Sequence, residues 1–206
     1  AIGQLSLTAN TTGRFNVALG VDALRRSTTG SSNTAAGYAA LEDNTTGASN
    51  TAVGQNSLAA NTTANNNTAV GDSAMFTNTT GTTNTAIGLS ALYANTTASN
   101  NTAVGSQALT ANTTGHENSS LGRNSLAANT TGSHNTGVGD SALAAHTTGS
   151  QNTAIGSAAL NASTTAANNT AVGYGALLRN TVGFENVAMG VAALDACTNG
   201  DDNVAI

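Results

Sequence analysis

Twelve asparagines recur at every seventeenth position, from Asn16 to Asn203, without a single insertion or deletion between them. Each asparagine begins a near copy of one unit, Asn-Thr-Ala-Val-Gly-x-x-Ala-Leu-x-Ala-Asn-Thr-Thr-Gly-x-x, so the 206 residues form about twelve units. In so short a repeat, each unit can bury its apolar side chains only against its neighbours, which is how a solenoid is built. We number the unit positions 1 to 17 from this asparagine.

The composition suits a narrow core and excludes several classes of partner. Hydrophobic residues make up 39% of the chain but aromatic residues only 3%, which is too little bulk for a wide globular interior. The net charge is −5, with five arginines and no lysine, whereas nucleic-acid binding requires clustered basic residues. No apolar run is long enough to cross a bilayer, so no membrane-spanning segment is predicted.

Besides the asparagine at position 1, three unit positions are constant or nearly so. Position 5 is glycine in all twelve copies, which indicates either a positive φ or a backbone contact too close for a Cβ. Position 9 is leucine in eleven copies and Met75 in the other, and the series from Leu7 to Leu194 is expected to form the buried core. Position 13 is always threonine.

Strands fit this unit better than a helix. Glycine and β-branched residues occur throughout the unit, and the Asn-Thr-Thr-Gly stretch is rich in poor helix formers. Short strands joined by tight turns accommodate both features. We therefore predict an all-β fold, a parallel β-solenoid (β-roll) of about twelve coils spaced about 4.8 Å apart, with residues 1–206 as one repeat domain.

Charged residues support this register. If residues i and i+17 lie above one another, opposite charges should be paired there and like charges avoided. The expected pairs are Arg25 with Glu42, Arg26 with Asp43, and Glu117 with His134, whereas Glu185 and Asp202 form one like-charged exception.

The turn after the two threonines has two sequence variants. Position 15 is alanine only in Ala64, Ala98 and Ala166, and the same three units alone carry asparagine at position 17. Asparagine tolerates the left-handed region better than other non-glycine residues. We interpret this as a turn whose positive φ lies at position 15, or moves to Asn66, Asn100 and Asn168 at position 17.

Consecutive apolar residues at positions 3–4 and 8–9 predict an outward stripe. Neighbouring residues on a strand point to opposite faces, so one member of each pair, as in Ala52-Val53 and Ala91-Leu92, should face outward. Scattered apolar side chains are normal on a surface, but a continuous stripe is uncommon on a monomer. The pattern favours a stripe covered by another chain.

No catalytic, cofactor-binding or metal-binding residues are predicted, and the chain is not expected to be an enzyme. His116, His134 and His146 fall at variable or turn positions and are interpreted as surface substitutions. Asp72 and Asp140 share position 6 but stand four coils apart, too far to act as a pair. The Asn-Thr-Thr sequences match the N-glycosylation pattern, but asparagine in a turn explains them better, as at Asn10, Asn44, Asn61 and Asn129.

The repeat resembles known fibre proteins. Asn50-Thr51-Ala52-Val53-Gly54 and Asn152-Thr153-Ala154-Ile155-Gly156 are similar to the head repeats of trimeric autotransporter adhesins. The longer unit with Ala-Leu and Asn-Thr-Thr-Gly resembles still more closely the repeats of phage and prophage tail-fibre proteins. The resemblance implies a left-handed, homotrimeric roll, located extracellularly, on a cell surface or on a virion. The adhesin repeat is typically shorter than the unit of this chain.

Three functions are compatible with these features. The leading hypothesis is a structural and adhesive fibre segment, a piece of a longer protein, that contacts a host receptor or glycan through residues such as Tyr38, Tyr93, Tyr174 or His116. An ice-binding solenoid is the first alternative, since threonine recurs at positions 2 and 14. A filament-forming surface protein, with coils continuing between subunits, is the second.

Overall fold

A computed structural model describes all residues from 1 to 206, which form two compact units, residues 1–101 and 102–206. Both units are all-β and carry one short strand per coil. In the first unit the strands are β1 (Val17–Leu19), β2 (Thr34–Ala36), β3 (Thr51–Val53), β4 (Thr68–Val70) and β5 (Thr85–Ile87). In the second they are β6 (Thr102–Val104), β7 (Ser119–Leu121), β8 (Thr136–Val138), β9 (Thr153–Ile155), β10 (Thr170–Val172), β11 (Val187–Met189) and β12 (Val204–Ala205).

Successive strands within each unit pair in parallel with a constant offset of one repeat. Thr34 is opposite Thr51 in the first unit, and Thr153 is opposite Thr170 in the second. Hydrogen bonds between coils continue outside the strands: the Thr28 amide donates to the Thr45 carbonyl over 2.9 Å. The predicted parallel β-solenoid with in-register coils is confirmed for both units.

The core of each coil is narrow and consists of small residues around one large side chain. Position 3, position 8 and the position-9 leucine are buried, as shown by Ala52, Ala91 and Leu92. The leucine series is fully buried from Leu24 to Leu177, including Met75, and is half-buried only in the end coils. The prediction that these side chains form the core is confirmed.

The prediction of an outward residue at positions 8–9 is wrong, although it holds at positions 3–4. Ala52 is buried and Val53 is exposed, because the two residues lie on a strand and alternate. Ala91 and Leu92 are both fully buried. They lie in a turn where Leu92 has a φ of 52°, and this left-handed residue interrupts the alternation that a strand would impose.

The glycine at position 5 satisfies both of the steric demands expected of it. Gly71 has a φ of 134°, which L residues rarely adopt. A Cβ built there would also lie 2.5 Å from the carbonyl oxygen of Gly88 in the next coil. Backbones of adjacent coils therefore approach each other too closely for any side chain at this position.

Positive φ recurs at three positions of each coil, 7, 9 and 17, and every residue at these positions except Gly175 is a non-glycine residue. Asn66, Asn100 and Asn168 have positive φ as predicted, with values of 61°, 63° and 58°. The proposed shift between two turn variants is nevertheless wrong, because position 17 is left-handed in every coil and position 15 in none. Each such residue costs about 1–2 kcal/mol relative to right-handed backbone, so packing must hold it in place.

Two columns of buried asparagine side chains explain the turn sequence. At position 1, Asn50 donates its main-chain amide to the Asn33 Oδ1 over 3.0 Å. At position 12, Asn61 donates its Nδ2 to the Asn44 Oδ1 over 2.8 Å. Both columns clamp the turn, since Asn33 and Asn44 each donate Nδ2 to the carbonyl of Gly47 at position 15, over 2.8 and 3.0 Å. Position 15 is small because of close contacts and not because of its φ: a Cβ on Gly47 would collide with the Ala64 carbonyl oxygen of the next coil and with Asn44 Oδ1.

Candidate functional site

The most regular exposed feature of each unit is the outer face of its strands. Position 4 presents an apolar side chain in every coil, and that side chain is partly or fully exposed. Leu19 is 50% exposed and Ile87 41% in the first unit, and Leu121 is 50% exposed in the second. Position 2 lies on the same face, where residues such as Thr51 and Thr68 are half-buried. The strand face is thus a column of hydroxyl groups beside a column of aliphatic groups.

The two threonines of the turn point to different environments. Thr62 at position 13 donates its Oγ1 to the carbonyl of Thr79 over 3.2 Å, so its hydroxyl belongs to the ladder between coils. Thr63 at position 14 is exposed. The adjacent pair therefore supplies one outward hydroxyl column, as expected from their opposite directions, and the column at position 2 supplies another.

Ion pairs between coils follow the predicted register. Arg25 pairs with Glu42, and Arg26 Nη1 lies 2.8 Å from Asp43 Oδ1. Sequence reasoning missed a further pair at position 6, where Arg123 Nε donates to Asp140 Oδ1 over 2.8 Å. The same offset of one repeat could have identified it. These pairs are partly or fully exposed to solvent, so each contributes only about 0–1 kcal/mol. They help to fix the register but add little stability.

The tyrosines singled out as surface residues are exposed. Tyr38 and Tyr174 lie at position 6, and Tyr93 lies at position 10. Tyr93 stacks on Phe76 of the preceding coil, with ring centroids 5.4 Å apart and an angle of 12° between planes. This pair forms a small flat aromatic surface in the first unit.

His116 and His134 are exposed as predicted, and together with Glu117 they bring three metal-ligating side chains together in the second unit. The interpretation of His146 as a surface residue is wrong. Its side chain is fully buried at position 12, where it replaces an asparagine of the inner column. Position 12 is an interior position in every inner coil, so a polar residue there is buried.

The buried imidazole reproduces part of the asparagine pattern. His146 Nε2 lies 2.8 Å from the Gly149 carbonyl, which can only accept, so this nitrogen carries the proton. Nδ1 then accepts from the Ser163 hydroxyl at 3.1 Å. Burial lowers the pKa of His146 below the ordinary value, and the hydrogen bond to Gly149 opposes this shift. The small serine in the next coil leaves room for the larger ring.

Substitutions at position 12 also leave buried polar atoms without partners. Asn129 Oδ1 lies just before His146 in the column and has no hydrogen-bond partner, because the imidazole offers no donor toward it. Asn10 Oδ1 and Ser27 Oγ also have no hydrogen-bond partner, because Ser27 replaces an asparagine of the column. The remaining asparagines are buried and bonded, so Asn44 and Asn61 use their Nδ2 atoms internally, which favours the turn interpretation over glycosylation.

Asp72 and Asp140 lie in different units, and Asp140 accepts a hydrogen bond from Arg123.

No α-helix of the structure has the length and apolar character needed to cross a membrane. No known protein family, curated protein or solved structure matches this chain. The geometry of the coil itself defines a β-solenoid tandem-repeat protein.

Proposed function

We propose that this chain is a rigid spacer and display segment of an extracellular fibre, of tail-fibre or adhesin-head type, borne on a cell surface or a virion. The supporting observation is the exposed apolar column at position 4, which recurs in every coil of each unit. Its members stand on strands whose hydrogen bonds to neighbouring coils hold them in line. An exposed apolar column of this kind favours association with another chain.

Identical copies of the chain are the occupant that such a column fits best. Side chains that repeat at one fixed spacing are matched along their whole length only by a surface with the same spacing, and a second copy has it. Closed rotational symmetry about the solenoid axis would bring equivalent columns together for any number of coils. The resemblance to adhesin and tail-fibre repeats favours three copies, which makes the proposed assembly a homotrimer.

The remaining surface would serve for display. Positions 6, 7, 10, 16 and 17 vary from coil to coil while the inner positions stay constant. Exposed aromatic residues such as Tyr38, Tyr174 and the stacked Phe76–Tyr93 pair offer flat surfaces for a host receptor or glycan. The nearly uncharged coil would act as a spacer between such contacts.

Sedimentation equilibrium at micromolar concentration tests the assembly. We expect a mass three times that of the 20.0 kDa chain. Val53→Lys combined with Ile87→Lys places charges in the position-4 column and should dissociate the assembly, because burying a charge without a partner costs about 3–5 kcal/mol. Tyr38→Lys combined with Leu89→Lys is the matched control: both side chains are exposed, but at position 6.

A mass equal to that of a single chain would overturn the trimer and remove the main support for the fibre. Dissociation by the position-6 pair to the same extent would show that the association does not use the strand face.

An ice-binding solenoid is the second candidate, and one observation favours it. Thr51, Thr68 and Thr85 form an outward hydroxyl column at position 2, directly beside the aliphatic column at position 4. This face is regular, uncharged and spaced at the strand separation of about 4.8 Å. Thermal hysteresis of the purified chain would support ice binding, and Thr68→Tyr should abolish it while Thr63→Tyr at position 14 should not. Absence of hysteresis refutes this candidate.

A further inference from the structure

Two of the three histidines in the chain lie beside the same glutamate. His116 and Glu117 are neighbours at positions 16 and 17 of one coil, and His134 occupies position 17 of the next coil. The constant offset of one repeat therefore places His134 over Glu117. All three side chains are exposed, and all belong to the second unit.

Their ligand atoms converge. One ligand atom from each of the three side chains lies within 4.8 Å of the other two. Glu117 Oε2 is 3.0 Å from His134 Nδ1, and its other oxygen, Oε1, is 3.8 Å from His116 Nδ1. The imidazole rings are 5.1 Å apart and nearly perpendicular, at 86°. The carboxylate thus offers one oxygen to each ring.

The backbone holds this arrangement in place. The His134 amide donates to the His116 carbonyl over 3.1 Å, and the His116 amide donates to the Ser133 hydroxyl over 3.1 Å. Glu117 and His134 both have positive φ, at 58° and 59°, in a turn that is the same in every coil. Because the solenoid fixes the separation of the two coils, little backbone freedom is lost when the three side chains bind one ion.

An ion pair alone explains only part of the cluster. Glu117 and His134 would suffice for the stacking expected between coils, as with Arg26 and Asp43. Glu117 already has a partner in His134, so pairing between the coils does not require the second imidazole, that of His116. Two imidazoles and one carboxylate are, however, a common ligand set for zinc and related divalent ions, which prefer nitrogen donors, whereas magnesium and calcium prefer oxygen.

The distances suit such an ion. Ligands at about 2.1 Å in a tetrahedral site lie about 3.4 Å from each other. The two nitrogen–oxygen separations, 3.0 Å to Oε2 and 3.8 Å to Oε1, lie on either side of that value, and one ligand atom from each residue lies within 4.8 Å of the other two. The three side chains remain about half exposed, so a fourth position on the ion would face solvent. Water or a donor from another molecule could occupy it.

We propose that His116, Glu117 and His134 form a binding site for one divalent transition-metal ion of the zinc class on the surface of the second unit. The site does not depend on the fibre function proposed above. Its ligands are Nδ1 of each imidazole and the Glu117 carboxylate, and its fourth position is open to an external donor.

Zinc titration of the metal-free chain tests the proposal. Isothermal calorimetry with ZnCl₂ should give one ion per chain, and MgCl₂ should give no binding. In NMR spectra of the wild-type chain, zinc should shift the imidazole signals of His116 and His134 and leave those of buried His146 unchanged. This spectroscopic measurement requires no variant.

Two substitutions test the ligands, and a third is the control. His134→Gln introduces the residue that the next coil already carries at position 17, Gln151, and Glu117→Gln removes the carboxylate charge. Each should weaken zinc binding by at least about tenfold, since even the outer partners of metal ligands contribute that much. Glu185→Gln, at position 17 of a coil without histidine, should leave it unchanged.

The proposal is overturned if the wild-type chain shows no saturable zinc binding, or if zinc shifts His146 as much as His134. Unchanged affinity in both ligand variants would also overturn it, as would an equal loss in Glu185→Gln.

Discussion

Replacing His146 by asparagine should stabilise the chain, because the substitution restores an interrupted hydrogen-bond column. In two coils of the first unit, Asn61 and Asn78 donate Nδ2 both to the position-15 carbonyl of their own coil and to the preceding Oδ1. An asparagine at 146 would donate to the Gly149 carbonyl, as the imidazole does, and also to the orphaned Asn129 Oδ1. Its own Oδ1 would accept from Ser163.

The expected gain at pH 7.5 is about 1 kcal/mol in the free energy of unfolding. A buried polar atom without a partner costs about 1–3 kcal/mol, and the substitution removes this cost for Asn129 Oδ1. Part of the gain is offset because asparagine is smaller than histidine and Ser163 leaves space beside it. Ser163→Asn in the same chain should fill that space and add about 1 kcal/mol more, through one further hydrogen bond.

The effect of Ser163→Asn on stability depends on which residue occupies position 146. Ser163→Asn alone should destabilise the protein by about 1–3 kcal/mol, because the imidazole of His146 occupies the space that the larger side chain needs. The same substitution becomes stabilising once position 146 is asparagine. The double-mutant cycle should therefore give a large coupling energy, because the effect of Ser163→Asn on stability changes sign when His146 is replaced by asparagine.

The acid dependence of stability gives a second, independent result. Burial lowers the pKa of His146 in the folded chain, so below the ordinary imidazole value of 6.5 the unfolded chain binds the proton more readily. The stability associated with neutral His146 is present above pH 6.5 and is lost as the pH falls toward the lowered folded value. This residue alone contributes a slope of at most about 1.4 kcal/mol per pH unit. His146→Asn should remove that contribution.

Urea unfolding followed by circular dichroism, at one protein concentration and at pH 7.5 and 5.5, measures both effects. His134→Gln in metal-free buffer is the control, since it removes an exposed histidine and leaves the inner column intact. If His146→Asn lowers the unfolding midpoint at pH 7.5, the argument from the orphaned Asn129 oxygen is refuted. If it leaves the difference between the two pH values unchanged, buried His146 is not a source of the acid dependence.

Three further predictions concern the backbone and the core. Gly71→Ala should destabilise the chain by about 3 kcal/mol or more, because its Cβ would collide with the Gly88 carbonyl and its φ is positive; an unchanged melting temperature would contradict the close approach of coils. Ala158→Gly should be neutral or stabilise by up to about 1 kcal/mol, since its φ of 58° favours glycine. The neighbouring Ala159→Gly, without positive φ, should destabilise, and equal effects in urea unfolding would refute the role of backbone conformation. Leu92→Ala should cost about 2–5 kcal/mol and lower the urea midpoint, and a smaller loss would mean that the coil collapses onto the cavity.

Register and core could be derived from the sequence because a constant period leaves no choice of partner. Residue i must meet residue i+17, so the pairing of Arg26 with Asp43 and of Glu117 with His134 followed from spacing alone. The same rule also places Asp140 beside Arg123 and brings His116, Glu117 and His134 of the proposed metal site together, although neither arrangement was derived from it. In a chain with a short constant repeat, contacts between coils can therefore be derived from the spacing of residues in the sequence.

The direction of side chains within the coil was decided only by the tertiary structure. Leu92 and its neighbour are both buried, and His146 lies inside, because left-handed residues at positions 7, 9 and 17 redirect the chain in ways that strand alternation does not predict. Non-glycine residues adopt this conformation at a cost, and they do so here because packing and hydrogen bonds from adjacent coils hold them. The sequence by itself determined which residues meet between coils; contacts among the stacked coils decided which way each side chain points.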